Sequence, residues 1–138
     1  MRPKEVSIAN LIFTKIEGME KDSDYITFTE ASGREFIMYH DQACCERVAL
    51  EGVIGDVSDL VDTPILSFSA DSDGASEETV GNKYNTGTWT FYNFRTIKGS
   101  VTLRWLGTSN GYYSERVDFK EQVGKSRWDY PDVENCSV

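Results

Sequence analysis

The sequence predicts a mainly β protein, α+β at most, with antiparallel strands in a two-layer, sandwich-like arrangement and one short helical turn. Three observations carry this. Short runs rich in β-branched and aromatic residues recur along the chain. Clusters of Gly, Asn, Asp and Ser separate them. From Thr88 to Phe119 apolar and polar residues alternate with the period of a pleated strand.

Taken in order, Ser7 to Glu17 holds Ile8, Leu11, Ile12, Phe13 and Ile16 and reads as a strand, followed by turn chemistry at Glu17–Gly18 and Lys21–Asp24. Tyr25–Thr29 and Phe36–His40 make a hairpin around Glu30–Arg34, where Gly33 can take a positive φ. Glu46–Ile54 is a further strand. Asp56 is placed to cap a short helical turn carrying Asp59, which Pro64 soon stops. Ile65–Ser69 follows as a strand. Residues 71–85 hold almost no large apolar side chain and predict a flexible acidic loop.

The C-terminal half predicts a three-stranded meander. Thr88–Thr96 turns at Ile97–Ser100 into Val101–Leu106, and Ser109–Asn110–Gly111 is a second turn into Tyr112–Phe119. Residues 122–138 show no clear period and read as a weakly structured tail in which Trp128 and Tyr130 could dock. The predicted core is Ile26, Phe28, Phe36, Met38, Val48, Leu50, Leu60, Ile65, Phe91, Val101, Leu103, Trp105, Val117 and Phe119.

At 138 residues the chain suits a single domain, 1–138, with enough aromatic side chains to fill a core. No apolar run approaches the length of a membrane helix, and no apolar segment follows Met1–Glu5, so a cytoplasmic location is expected. Cys44, Cys45 and Cys136 are an odd number, and adjacent cysteines rarely bridge each other, so free thiols are expected.

The net charge of −9 comes from 23 acids against 14 bases. That sign counts against direct binding to nucleic acid or to an anionic membrane. Between Val48 and Asn82 stand Glu51, Asp56, Asp59, Asp62, Asp71, Asp73, Glu77 and Glu78, with no Lys or Arg. Such one-sided charge steers a protein toward a basic partner surface. Tyr112, beside the Asn-Gly turn, is a candidate exposed contact for the same partner.

The cluster to weigh for chemistry is His40–Asp41–Gln42–Ala43–Cys44–Cys45–Glu46. His40, Cys44 and Cys45 are the nearest candidates for a metal site, with Cys136 as a conceivable fourth ligand, but the usual two-residue spacer is absent and no metal or other cofactor is expected. A thiolate activated by His40 is a second chemical reading without supporting motif context. The bland reading has His40 ending a strand, Asp41 in a turn and the thiols acting as small apolar residues. Asp71-Ser-Asp73-Gly74 begins a calcium-loop pattern without completing it. No phosphate loop, nucleophile elbow or Walker motif occurs, so no enzyme activity is expected.

Two stretches gain meaning together: Tyr39-His-Asp-Gln-Ala-Cys-Cys-Glu46 with Gly55–Ile65, and Thr88–Tyr92 through Thr96–Gly99 to Gly111–Phe119. From about Tyr25 to Glu121 the chain resembles DUF7448, a family of phage and prophage proteins catalogued as a domain of unknown function. The resemblance implies a role in the cytoplasm of an infected or lysogenic bacterium and assigns no residue a function. The expectation is a small acidic binding protein that occludes a host or anti-phage defence protein, in an anti-CRISPR-like or other anti-defence role. The alternative is a small-ligand or metal module centred on His40, Cys44 and Cys45.

Overall fold

A computed structural model describes residues 8–81 and 83–122. The fold is mainly β, two antiparallel four-stranded sheets facing each other across one aromatic-rich core. The first sheet has the order β1-β2-β3-β8, built from β1 (Phe13–Glu17), β2 (Tyr25–Glu30), β3 (Glu35–Tyr39) and β8 (Asp118–Gln122). The second has the order β4-β7-β6-β5, from β4 (Arg47–Ile54), β5 (Ser67–Gly74), β6 (Thr86–Thr96) and β7 (Gly99–Ser109). The expected helical turn is a 3-10 turn, Val57–Leu60, capped as predicted by the Asp56 side chain on the Ser58 amide. One further turn, α1 (Glu77–Val80), follows β5.

Pairing register sets which residues enter the core. In β7, Val101, Leu103 and Trp105 point inward; directly opposed residues share a face, so Phe94, Tyr92 and Thr90 must point inward too. Phe91, expected in the core, is therefore on the outer face opposite Arg104. The other predicted core residues all belong to the buried cluster, which Ile8, Phe13, Tyr92 and Phe94 join. Phe28 sits at its centre, with ring centroids 5.2 Å from Phe13, 5.2 Å from Phe119 and 6.0 Å from Phe94.

Two predicted elements are corrected. Residues 71–74 continue β5, pairing with Phe91 to Thr88, and 77–80 form α1, so the polar stretch read as a flexible loop contains a strand end and a helical turn. Low hydrophobicity misleads here because an edge strand solvated on both faces has no apolar side to display. The third meander strand is also absent: after Ser109 the chain leaves the second sheet, runs irregularly through residues 110–117 and enters the first sheet as β8 beside β3. The expected tail begins at Gln122, the last residue of β8; Trp128, Tyr130 and Cys136 lie outside the described residues.

Candidate binding surface on the second sheet

The chain passes between sheets through residues 40–46, from β3 to β4, and through 110–117, from β7 to β8. Most of the polar residues singled out for chemistry lie in the first crossing. His40 and Glu46 are buried, with Nε2 of His40 2.6 Å from Oε2 of Glu46 and Nδ1 2.6 Å from the Arg116 carbonyl. Each ring nitrogen thus faces an oxygen of the protein. Glu46 also accepts the amides of Ala43 (2.9 Å) and Cys44 (2.9 Å), while the Gln42 side-chain amide donates to the carbonyls of Cys44 and Glu46. Burial pushes the Glu46 carboxyl up; the hydrogen bonds from His40 and from the amides of Ala43, Cys44 and Glu46 itself outweigh that and hold it down at about 2.

This cluster is a knot that ties one crossing to the other. Cys44 and Cys45 are joined in a disulfide, a correction to the expectation of free thiols. Both His40 nitrogens are engaged within the protein, and among the described residues no three metal-ligating side chains are gathered. The second crossing is fastened similarly. The Tyr92 hydroxyl donates to the Val117 carbonyl (2.8 Å), and Glu115 accepts from the hydroxyls of Ser109, Thr86 and Thr88. Burial raises the Glu115 carboxyl, and the three hydroxyls more than reverse it, leaving it below its ordinary value. Gly107 permits the close approach: a Cβ there would meet the Glu115 carbonyl at 2.7 Å. A polar cleft of about 500 Å³ opens beside this clamp, lined by Ser72, Thr88, Thr90, Tyr113 and Arg116.

The outer face of the second sheet is arranged differently. Register places Trp89 and Phe91 on β6, Arg104 and Leu106 on β7, and Asp71 and Asp73 on β5 on this one face. The Trp89 and Phe91 rings stack with centroids 6.1 Å apart, and the Arg104 guanidinium lies 4.7 Å over Trp89. Asp71 accepts from the Asn93 side chain (3.1 Å), whose carbonyl accepts from Thr102 (2.9 Å). Both rings are half-buried, and Ile54 at the far edge is exposed.

The eight acids of the Val48–Asn82 stretch all belong to the second sheet or its connections but do not form one patch. Glu51 is the extra residue at a bulge in β4, and Asp56, Asp59 and Asp62 surround the 3-10 turn beside the β6–β7 hairpin. Asp71 and Asp73 lie along β5 at the opposite edge from β4. Glu77 and Glu78 are in α1, packed near Gly87 at the other end of β6, about 30 Å from that hairpin by strand rise. Tyr112 is 88% exposed in the second crossing. Sequence reasoning missed Trp89, Phe91 and Arg104 as surface groups. The signal was available: once Val101, Leu103 and Trp105 are taken as inward, a two-residue turn at Ile97–Lys98 forces Trp89 and Phe91 outward.

Among the described residues no helix is long and apolar enough to cross a membrane. A family model, DUF7448, described as a domain of unknown function, matches residues 9–119. No curated protein and no solved structure matches the chain.

Proposed function

The chain belongs to the DUF7448 family, and we propose that it is a non-catalytic protein-binding module whose contact surface is the outer face of the second sheet. The observation that carries this is the partly exposed Trp89–Phe91 stack under Arg104, bordered by Asp71 and Asp73. Aromatic rings and Arg are the side chains that contribute most to protein interfaces: the rings bury large rigid areas at low entropic cost, and the planar Arg guanidinium offers five donors and stacks on rings. Carboxylates at the rim favour a partner with a basic surface and speed encounter more than they tighten the complex. In biological terms the reading is of a phage- or prophage-encoded protein. In the bacterial cytoplasm it occludes a functional surface of a host or anti-phage defence protein. The acids around the 3-10 turn and in α1, being spread along the sheet, steer the approach rather than make contact.

The test is capture from bacterial lysate with the wild-type protein and with a Trp89→Ala, Phe91→Ala variant, at low and high salt. A partner held at low salt, released at high salt and lost with the variant supports the reading. A lysate that yields no such partner counts against it.

A further inference from the structure

We infer that β5 accepts an additional strand from the partner: an extended segment with Lys or Arg at alternate positions pairs along its open edge. This rests on the binding role proposed above and names the chemistry of what is bound.

Among the described residues β5 is the last strand of its sheet and pairs only with β6. Alternate residues of such a strand direct their N–H and C=O groups away from the sheet, where an extended chain can take them up. Over its eight residues every side chain except Phe68 is exposed, and the pairing with β6 has no register shift. Two of the other edges are bridged in part among the described residues. The chain near Val61 and Pro64 bridges to Phe13 and Ile12 at β1, and Asp22 and Ser23 exchange backbone hydrogen bonds with Leu50 of β4.

Natural sheets guard open edges with charged side chains, Lys above all, with Pro or with a bulge. Ser67–Gly74 has no Lys, Pro or bulge, and its charges are Asp71 and Asp73, two residues apart and therefore on one face. These repel an acidic or like strand and favour a basic one. No ion pair engages either among the described residues. A second copy is an unfavourable occupant: antiparallel pairing about Ser72 sets Asp71 against Asp73 and gathers four carboxylates on one face. A segment with cations at every second residue places them beside both carboxylates. The long stems of Lys or Arg then reach toward Trp89 and Phe91, which lie opposite Asp73 and Asp71 on the neighbouring strand.

The probe is an octapeptide alternating Lys and Thr, matched in length to β5, with a Glu/Thr octapeptide as control. Two further forms are N-methylated on all Lys residues or on all Thr residues. The expected result is salt-sensitive binding of the Lys/Thr peptide, slowed hydrogen exchange in β5, and no binding of the Glu/Thr peptide. Asp71→Lys with Asp73→Lys weakens binding at least about tenfold, and the milder Asp71→Asn with Asp73→Asn weakens it in the same direction. One N-methylated form binds and the other does not, because only one set of peptide amides faces the edge. Equal binding of both methylated forms reduces the effect to charge attraction and overturns strand addition. So does failure of the Lys/Thr peptide to bind. If that failure accompanies a lysate partner that depends on Trp89 and Phe91, the binding role stands and the edge inference alone falls; if no partner is captured either, both fall.

Discussion

The two crossings between the sheets and the outer face of the second sheet both carry carboxylates and other polar groups and use them in opposite ways. In the crossings a histidine, two glutamates and a glutamine spend their hydrogen bonds on neighbouring backbone and hydroxyls. On the outer face, aromatic rings, a guanidinium and two carboxylates are arranged beside solvent with few internal obligations. The difference separates a polar group that holds a fold from one that can meet a partner. Residue type does not distinguish them; burial and satisfaction do.

That contrast is broken most directly at Glu46. Glu46→Ala leaves the His40 ring and the Ala43 and Cys44 amides without their acceptor, and is expected to cost about 3–5 kcal/mol of stability, read from urea unfolding. A loss no larger than that of a surface substitution would mean the knot is not structural. Acid probes the same group. With a carboxyl at about 2 in the folded protein against an ordinary 4.5, the stability it contributes is complete above pH 4.5 and disappears as the pH falls through about 2. Linkage puts this at about 3 kcal/mol. The comparison to make is urea midpoints at pH 5 and pH 2.5; Glu46→Gln should remove most of that dependence.

Smaller effects sharpen the comparison. Gly107→Ala forces the Glu115 backbone away from β7 and should cost about 1–3 kcal/mol, with increased hydrogen exchange in residues 110–117. Tyr92→Phe removes the hydrogen bond to the Val117 carbonyl and should cost about 1 kcal/mol. At the outer face, Asp71→Lys with Asp73→Lys should leave stability within about 0.5 kcal/mol of wild type while weakening partner binding. A large change in the thermal midpoint would place those carboxylates among the structural groups and dissolve the contrast.

Much of the fold was legible along the chain. The hairpin of β2 and β3, the Asp56 cap and the long β6–β7 hairpin follow from local turn chemistry and alternation, which depend on neighbours in sequence. Phe91 was misread because its run, Trp-Thr-Phe-Tyr-Asn-Phe, offers large side chains on both faces, and only pairing with Val101, Leu103 and Trp105 selects one set. The His40–Glu46 segment drew attention as chemistry because histidine, cysteines and a carboxylate adjoin in sequence. Its decisive partner is the Arg116 carbonyl, 76 residues away.

By itself the sequence determined a β-rich chain, most of its strands and nearly all of its core, because alternation and turn residues act over a few positions. Tertiary structure alone decided that β8 would join the first sheet and that the acids would divide between edges and ends of the second. Each of those outcomes is set by which strands lie side by side, and no local pattern encodes that choice of neighbours.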